Sequence, residues 1–175
     1  IDVISENYAK NIITLEDPIE YVYTPKKAII NQREVGVDVE DYEHGLYASL
    51  REDPDVILIG EMRTPETIET ALVAAETGHL VFSTIHTNSA VDSIDRIVGV
   101  FPENKQPQIR LQLSMTLKAV LAQQLVPRAT GRGRAAACEL MMITPPVRNL
   151  IRDGRTPQMQ SYLMSGGKDG SVTMD

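Results

Sequence analysis

The chain is short of several things, and each shortage excludes something. A single cysteine, Cys138, in 175 residues leaves no internal disulfide and no cysteine-based zinc site, which fits a reducing compartment. Basic residues are in deficit, 17 Lys and Arg against 24 Asp and Glu, for a net charge of −7. That balance argues against a nucleic-acid surface over most of the chain, although a local basic patch is compatible with it. No apolar run approaches the length of a membrane span, and the start has no signal-peptide pattern. Nor is there an internal repeat. What is present is ordinary for a soluble globular protein: 42% apolar and 23% charged residues, enough for one cored domain with or without a small appendage.

Three apolar runs read as buried strands, because they are continuous rather than alternating. They are "NIITL" (11–15), ended by Glu16, Asp17 and Pro18; "DVILIG" (55–60), ended by Glu61; and "HLVFSTI" (79–85), ended by His86 and Thr87. Between the second and third, "TPETIETALVAAETGH" predicts a helix. Thr64 caps it, Pro65 suits its first turn, Glu66 and Glu69 sit near its positive end and Gly78 stops it. A strand–helix–strand unit of this size implies a parallel sheet. Further on, "SAVDSIDRIVGVFP" predicts a helix with Val91, Ile94, Val98 and Phe101 on one stripe. "QPQIRLQLSMTLKAVLAQQLVP" predicts one long amphipathic helix closed by Pro127, "TGRGR" a turn, "AAACELMMI" a strand and "PPVRNLIRDG" a short helix. "NQREVG" (31–36) reads as a turn region, and the tail "SGGKDGSVTMD" as polar and loose. At the other end Ile1, Val3 and Ile4 stand on a helical spacing with no start methionine or cap, the expected tail of a helix in a chain that is itself a fragment.

In open parallel sheets, ligands sit beyond the carboxyl ends of the strands. All three apolar strands end there in groups able to do chemistry: Glu16 with Asp17, Glu61, and His86 with Thr84 and Thr87. An apolar strand ending in an acid is how nucleotide hydrolases present a carboxylate to magnesium or to the attacking water. Taken alone, Glu61 is equally well explained as a helix cap or as the partner of Arg63. The three endings together are hard to explain by packing. P-loop hydrolases commonly carry an Asp at the position held here by Gly60, so a magnesium ion would need a second acid, with Glu16 or Asp17 the candidates.

The stretches "TLEDPIEY", "LREDPDVILIGEMR" and "TGHLVFSTIHTNSA" resemble the Asp box, Walker B and His box of the secretion and pilus motor ATPases. "DRIVGVFP" and "PPVRNLIRDG" are most similar to the PilT-type branch, the type IV pilus retraction ATPases. The resemblance implies an α/β fold, a RecA-like P-loop NTPase core with a mostly parallel sheet over 1–127, followed by a C-terminal strand and helical portion over 128–175. It implies ATP and Mg2+ as cofactors and a homo-hexamer at the cytoplasmic face of the inner membrane, working on pilus platform proteins. Glu61 would match the Walker B glutamate that acts on the attacking water, Glu16 the Asp-box acid near magnesium, and His86 the residue that senses the γ-phosphate. Arg51 and Arg63 would reach phosphate or a neighbouring subunit; a plain salt bridge with Glu52, Asp53 or Glu61 explains them as well. Arg33 stands where it could bridge to the site. His79 is expected to be structural.

The departures carry weight too. No stretch reads GxxxxGK[ST], and the PAS-like amino-terminal domain and last helix of the family are absent from these residues, so this chain on its own is expected not to hydrolyse ATP. Tyr47 stands where relatives often carry an arginine. One cysteine leaves no four-cysteine zinc module of the extension and type II secretion ATPases, which favours the retraction branch over those alternatives. A non-catalytic assembly module is a second alternative, and a DNA translocase is disfavoured by the charge. Cys138, Met141 and Met142 read as core residues, Arg128, Arg132 and Arg134 as a solvated turn, and His44 as exposed.

Overall fold

The computed structural model describes residues 1–165 and 170–174. The chain forms two compact units, Ile1–Ile85 and His86–Asp175. The boundary expected at 127/128 falls inside the second of them.

The first unit contains α1 (Asp2–Asn7), β1 (Asn11–Glu16), β2 (Ile29–Glu34), α2 (Tyr42–Ser49), β3 (Val56–Ile59), α3 (Pro65–Glu76) and β4 (Leu80–Ser83). Its four strands pair in the order β2-β1-β3-β4, all parallel. The two central strands are the apolar runs "NIITL" and "VILI", and Ile12, Ile13, Leu15, Ile57 and Ile59 are fully buried. Leu15, Ile57 and Ile59 meet Leu46 of α2 and Ala71 and Ala74 of α3 in one cluster. Each such side chain removed from water stabilises the fold by roughly 1.5–3 kcal/mol, and that rigid centre fixes where the strands end. Helix α3 has the start and stop its sequence calls for. The Thr64 hydroxyl accepts from the Thr67 N–H, Pro65 opens the first turn, and Gly78 follows at a φ of 102°.

Two readings of this unit need correction, while the helix expected at the start is present as α1. "NQREVG" is mostly strand: Asn31 to Glu34 belong to β2, paired with Ile13 to Glu16 of β1, because its backbone groups complete the ladder on that side. The run 79–85 is a strand but not a buried one. Among the described residues β4 pairs only with β3 and is an edge, so Leu80 and Phe82 are 43% and 42% exposed. In α1, Ile1 and Ile4 pack against Ile12, Ala28 and Val56, whereas Val3 is exposed.

The second unit holds α4 (Ala90–Gly99), α5 (Gln106–Thr116), the antiparallel pair β5 (Ala119–Pro127) and β6 (Arg134–Met142), α6 (Pro145–Arg152) and α7 (Thr156–Ser165). The long helix expected over 106–127 is therefore a helix followed by a strand. Leu113, Leu117, Leu121 and Leu125 recur every fourth residue, as in a helix. However, the chain turns extended at Leu117 (ψ 136°) and pairs residue for residue with β6, from Ala119↔Met142 to Pro127↔Arg134. Gly131 and Gly133, both at positive φ, make the reversal in "TGRGR" that permits this ladder. A nine-residue partner within reach outweighs a weak local helical pattern.

The strand expected in "AAACELMMI" is present, with Met141 buried and Met142 half-buried. Cys138 is exposed, contrary to expectation: Glu139 and Met141 face inward, so strand alternation turns residue 138 outward. The tail is not uniformly loose. Val172 pairs with Leu140, and the Ser171 hydroxyl accepts from the Met142 N–H at 3.0 Å, while 166–169 and 175 lie outside the described residues. No described helix is long and apolar enough to cross a membrane.

Candidate active site

The parallel register sets the carboxyl ends of the central strands level. Ile13 stands beside Ile57 and Leu15 beside Ile59, and the Gly60 N–H donates to the Leu15 carbonyl at 2.7 Å, continuing the ladder past β3. Glu16 and Glu61 therefore emerge from adjacent strands of one rigid sheet. The Glu16 carboxylate accepts from the Thr14 hydroxyl at 2.6 Å and from the Gln32 side-chain amide at 2.9 Å. Thr14 is fully buried, and Gln32 comes from β2, so two strands hold this acid in place. Asp17 follows at an exposed position and is joined to Pro18 by a cis peptide bond.

The Glu61 side chain is 16% exposed and accepts from the Arg63 guanidinium at 2.6 Å, while Arg63 itself is 68% exposed. The hydrogen bond to Glu61 raises the Arg63 pKa further above its ordinary value. This is the salt bridge that sequence offered as one explanation of Arg63, and the outward-lying guanidinium is also the more movable partner. Thr84 ties the edge together: its hydroxyl donates to the Gly60 carbonyl, and the Met62 N–H donates to the Thr84 carbonyl at 3.1 Å. Arg51 lies exposed beyond α2. Glu52, offered as its partner, is instead held by Arg33 at 2.8 Å. That contact also places Arg33 in a salt bridge with Glu52. His79 ties the end of α3, its Nδ1 lying 2.9 Å from the Ala74 carbonyl oxygen.

His86 and Thr87 open the second unit. His86 is exposed, and the Thr87 hydroxyl lies 2.7 Å from that of Ser93 in the first turns of α4. The start of α4 is closed by a residue that sequence did not single out. Glu139 of β6, 5% exposed, accepts from the Ala90 N–H at 2.8 Å, a carboxylate at the positive end of a helix. Two further features escaped the sequence reading. Gly60 has no room for a side chain, since a Cβ there would lie 2.9 Å from the Tyr42 hydroxyl and 3.2 Å from the Leu15 carbonyl oxygen. Gln32, hidden in a stretch read as a turn, supports Glu16. Gly60 itself, standing where an acid is common, was the available signal for the first; nothing local marks the second.

Among the described residues no three His, Cys, Asp or Glu side chains are placed to hold a metal ion. Magnesium needs only one or two carboxylates when waters and phosphate oxygens complete its shell. The donor set of this edge fits that lesser demand and does not fit an all-protein metal cage.

A parallel sheet with polar groups at its strand ends defines an α/β protein of the kind whose ligand sites lie beyond the carboxyl edge of the sheet. The chain belongs to the type II/IV secretion system protein family, whose model matches residues 1–168. It is 49% identical over 175 residues to a twitching motility protein of Neisseria gonorrhoeae, covering all of this chain and 47% of that one. It is equally, 49%, identical to the type IV pilus retraction ATPase PilT of Pseudomonas aeruginosa, covering 100% of this chain and 51% of the relative. A crystal structure of the pilus retraction motor PilT with bound ADP matches at a TM-score of 0.87 and 50% identity, over 98% of this chain and 52% of that one. The chain thus spans about half the length of these relatives.

Proposed function

We propose that this chain is part of a motor ATPase that hydrolyses ATP to drive type IV pilus retraction. The observation that carries the reading is Glu61: a carboxylate just past the end of a buried, apolar β3, one residue beyond the level of Glu16 on the adjacent strand, and accepting from Arg63. A base on such a strand loses little entropy when it meets its substrate. Glu61 takes a proton from water as the water oxygen bonds to the γ-phosphorus and the bond to the β–γ bridging oxygen breaks, releasing ADP and phosphate. Glu16, steadied by Thr14 and Gln32, and Asp17 are the acids available to the water shell of Mg2+, which would supply charge neutralisation on the phosphates. Arg63, Arg51, Thr84 and Thr87 are assigned to phosphate or to a subunit boundary, and His86 to sensing the γ-phosphate. The motor works as a cytoplasmic homo-hexamer, peripheral at the inner membrane, against pilus platform proteins. Likeness to a twitching motility protein over the whole chain supports retraction over extension or secretion.

The decisive experiment is ATP turnover by full-length protein carrying Glu61→Gln, which keeps the shape and removes the base. ATP should still bind while turnover falls by roughly two to four orders of magnitude. Near wild-type turnover would make Glu61 a mere partner of Arg63. Absence of turnover in the unaltered full-length protein would instead make it a non-catalytic assembly module.

A further inference from the structure

The two hydrogen bonds that reach the Glu16 carboxylate fall on the same oxygen. The buried Thr14 hydroxyl donates to Oε1 at 2.6 Å, and Nε2 of Gln32 donates to Oε1 at 2.9 Å. No described residue donates to Oε2. The register accounts for this convergence. Gln32 of β2 pairs with Thr14 of β1, and Glu16 lies two residues beyond Thr14, so the three share one face of the sheet.

The Gln32 amide is itself fixed. Its Oε1 accepts from the Tyr23 N–H at 2.8 Å, and its Nε2 also donates to the Tyr21 carbonyl oxygen at 2.9 Å. Rotating the amide by half a turn would set oxygen against oxygen at Glu16 and Tyr21, and N–H against N–H at Tyr23. Gln32 is thereby bound to present a donor to Glu16. A second side chain of β2 holds the same segment, since Glu34 accepts from the Ile19 N–H at 3.1 Å.

We propose that Gln32 is a positioning residue: with Thr14 it claims Oε1 of Glu16, restrains the carboxylate and reserves Oε2 for the water shell of Mg2+. A carboxylate held at one oxygen by two donors has little freedom left to lose when the other oxygen accepts from a metal-bound water. The inference deepens the ATPase reading above and rests on it.

The test is calorimetric titration of the full-length protein with ADP, once in Mg2+ and once in EDTA. The ratio of the two affinities measures what the metal adds. Gln32→Met keeps the length of the side chain and removes the amide. It should shrink that ratio about three- to tenfold, the value of one hydrogen bond, with affinity in EDTA within about twofold of wild type. The Mg2+ concentration giving half-maximal ATP turnover should rise by a similar factor. Thr14→Val removes the other donor and leaves the Tyr21 and Tyr23 contacts in place. It should move both readings the same way, and it carries the test alone where Gln32→Met does not fold. A merely structural role would weaken ADP equally with and without the metal. That result, or an unmoved ratio in either folded variant, would overturn the proposal. Turnover by the unaltered protein separates the failures: if it is present while the Mg2+ readings stay put, this inference alone is lost, whereas its absence sinks the ATPase reading and this one with it.

Discussion

Two glutamates, one in each unit, show how one side chain takes different work from its surroundings. Glu61 ends a parallel strand, lies beyond the last ladder bonds, and accepts from an arginine that is itself largely exposed. Glu139 sits inside an antiparallel pair, more deeply buried, and accepts from the first N–H of α4. Parallel strands gather their ends on one edge, where no further strand residue uses the polar groups. The antiparallel pair β5–β6 returns on itself, and an inward acid there must satisfy a neighbour or destabilise the fold. Burial alone therefore does not separate a candidate catalytic carboxylate from a structural one; position along the strand does.

Exchanging the probes breaks or sharpens that contrast. The largest effect is expected from Glu61→Gln, with turnover down roughly 100- to 10,000-fold and the melting temperature little changed. Glu139→Ala should do the reverse. It strands the buried Ala90 N–H and removes a charge from a helix start, so urea unfolding should show a loss of about 2–3 kcal/mol, with near-normal kcat in the folded fraction. A Glu139 variant that lost turnover without losing stability would erase the distinction. His86→Ala comes next, expected to slow hydrolysis roughly tenfold at unchanged ATP affinity. Because His86 is exposed, its removal should leave unfolding within about 0.5 kcal/mol of wild type. A large drop in melting temperature would make it structural.

The smallest effect lies at the far end of the sheet, where Asp55 accepts from Lys10 at 2.7 Å and from the Asn11 N–H at 2.8 Å. The Lys10 bond chiefly, then that of Asn11, holds the Asp55 pKa below the ordinary carboxylate value. A folded pKa lower than the unfolded one stabilises the fold above the unfolded value, near 3.9, and that contribution is lost as pH falls through the folded value. Asp55→Asn should thus lower the melting temperature by about one or two degrees at pH 7 and by nothing in stronger acid. A difference that persisted unchanged below pH 3 would assign the effect to shape rather than charge.

The sequence by itself determined what depends on local chemistry. Continuous apolar runs with acids behind them placed β1 and β3 and the strand ends Glu16 and Glu61. Thr64, Pro65 and Gly78 bounded α3, and the absence of a second cysteine excluded disulfides. Whatever depends on a distant partner was decided only by the tertiary structure. Residues 119–127 carry helical spacing yet form a strand, because β6 supplies nine backbone partners. Gln32 sits in a strand rather than a turn and reaches Glu16 because β1 offers the ladder. The apolar β4 has an exposed face because it lies at an edge, and Cys138 turns outward because its neighbours turn in. Tyr42 meets Gly60 across 17 residues of intervening chain, a coincidence in space that no pattern along the chain encodes. Propensity and periodicity act over a few residues and are written in the order of side chains, whereas pairing, edges and close approach are settled by which segments bury one another.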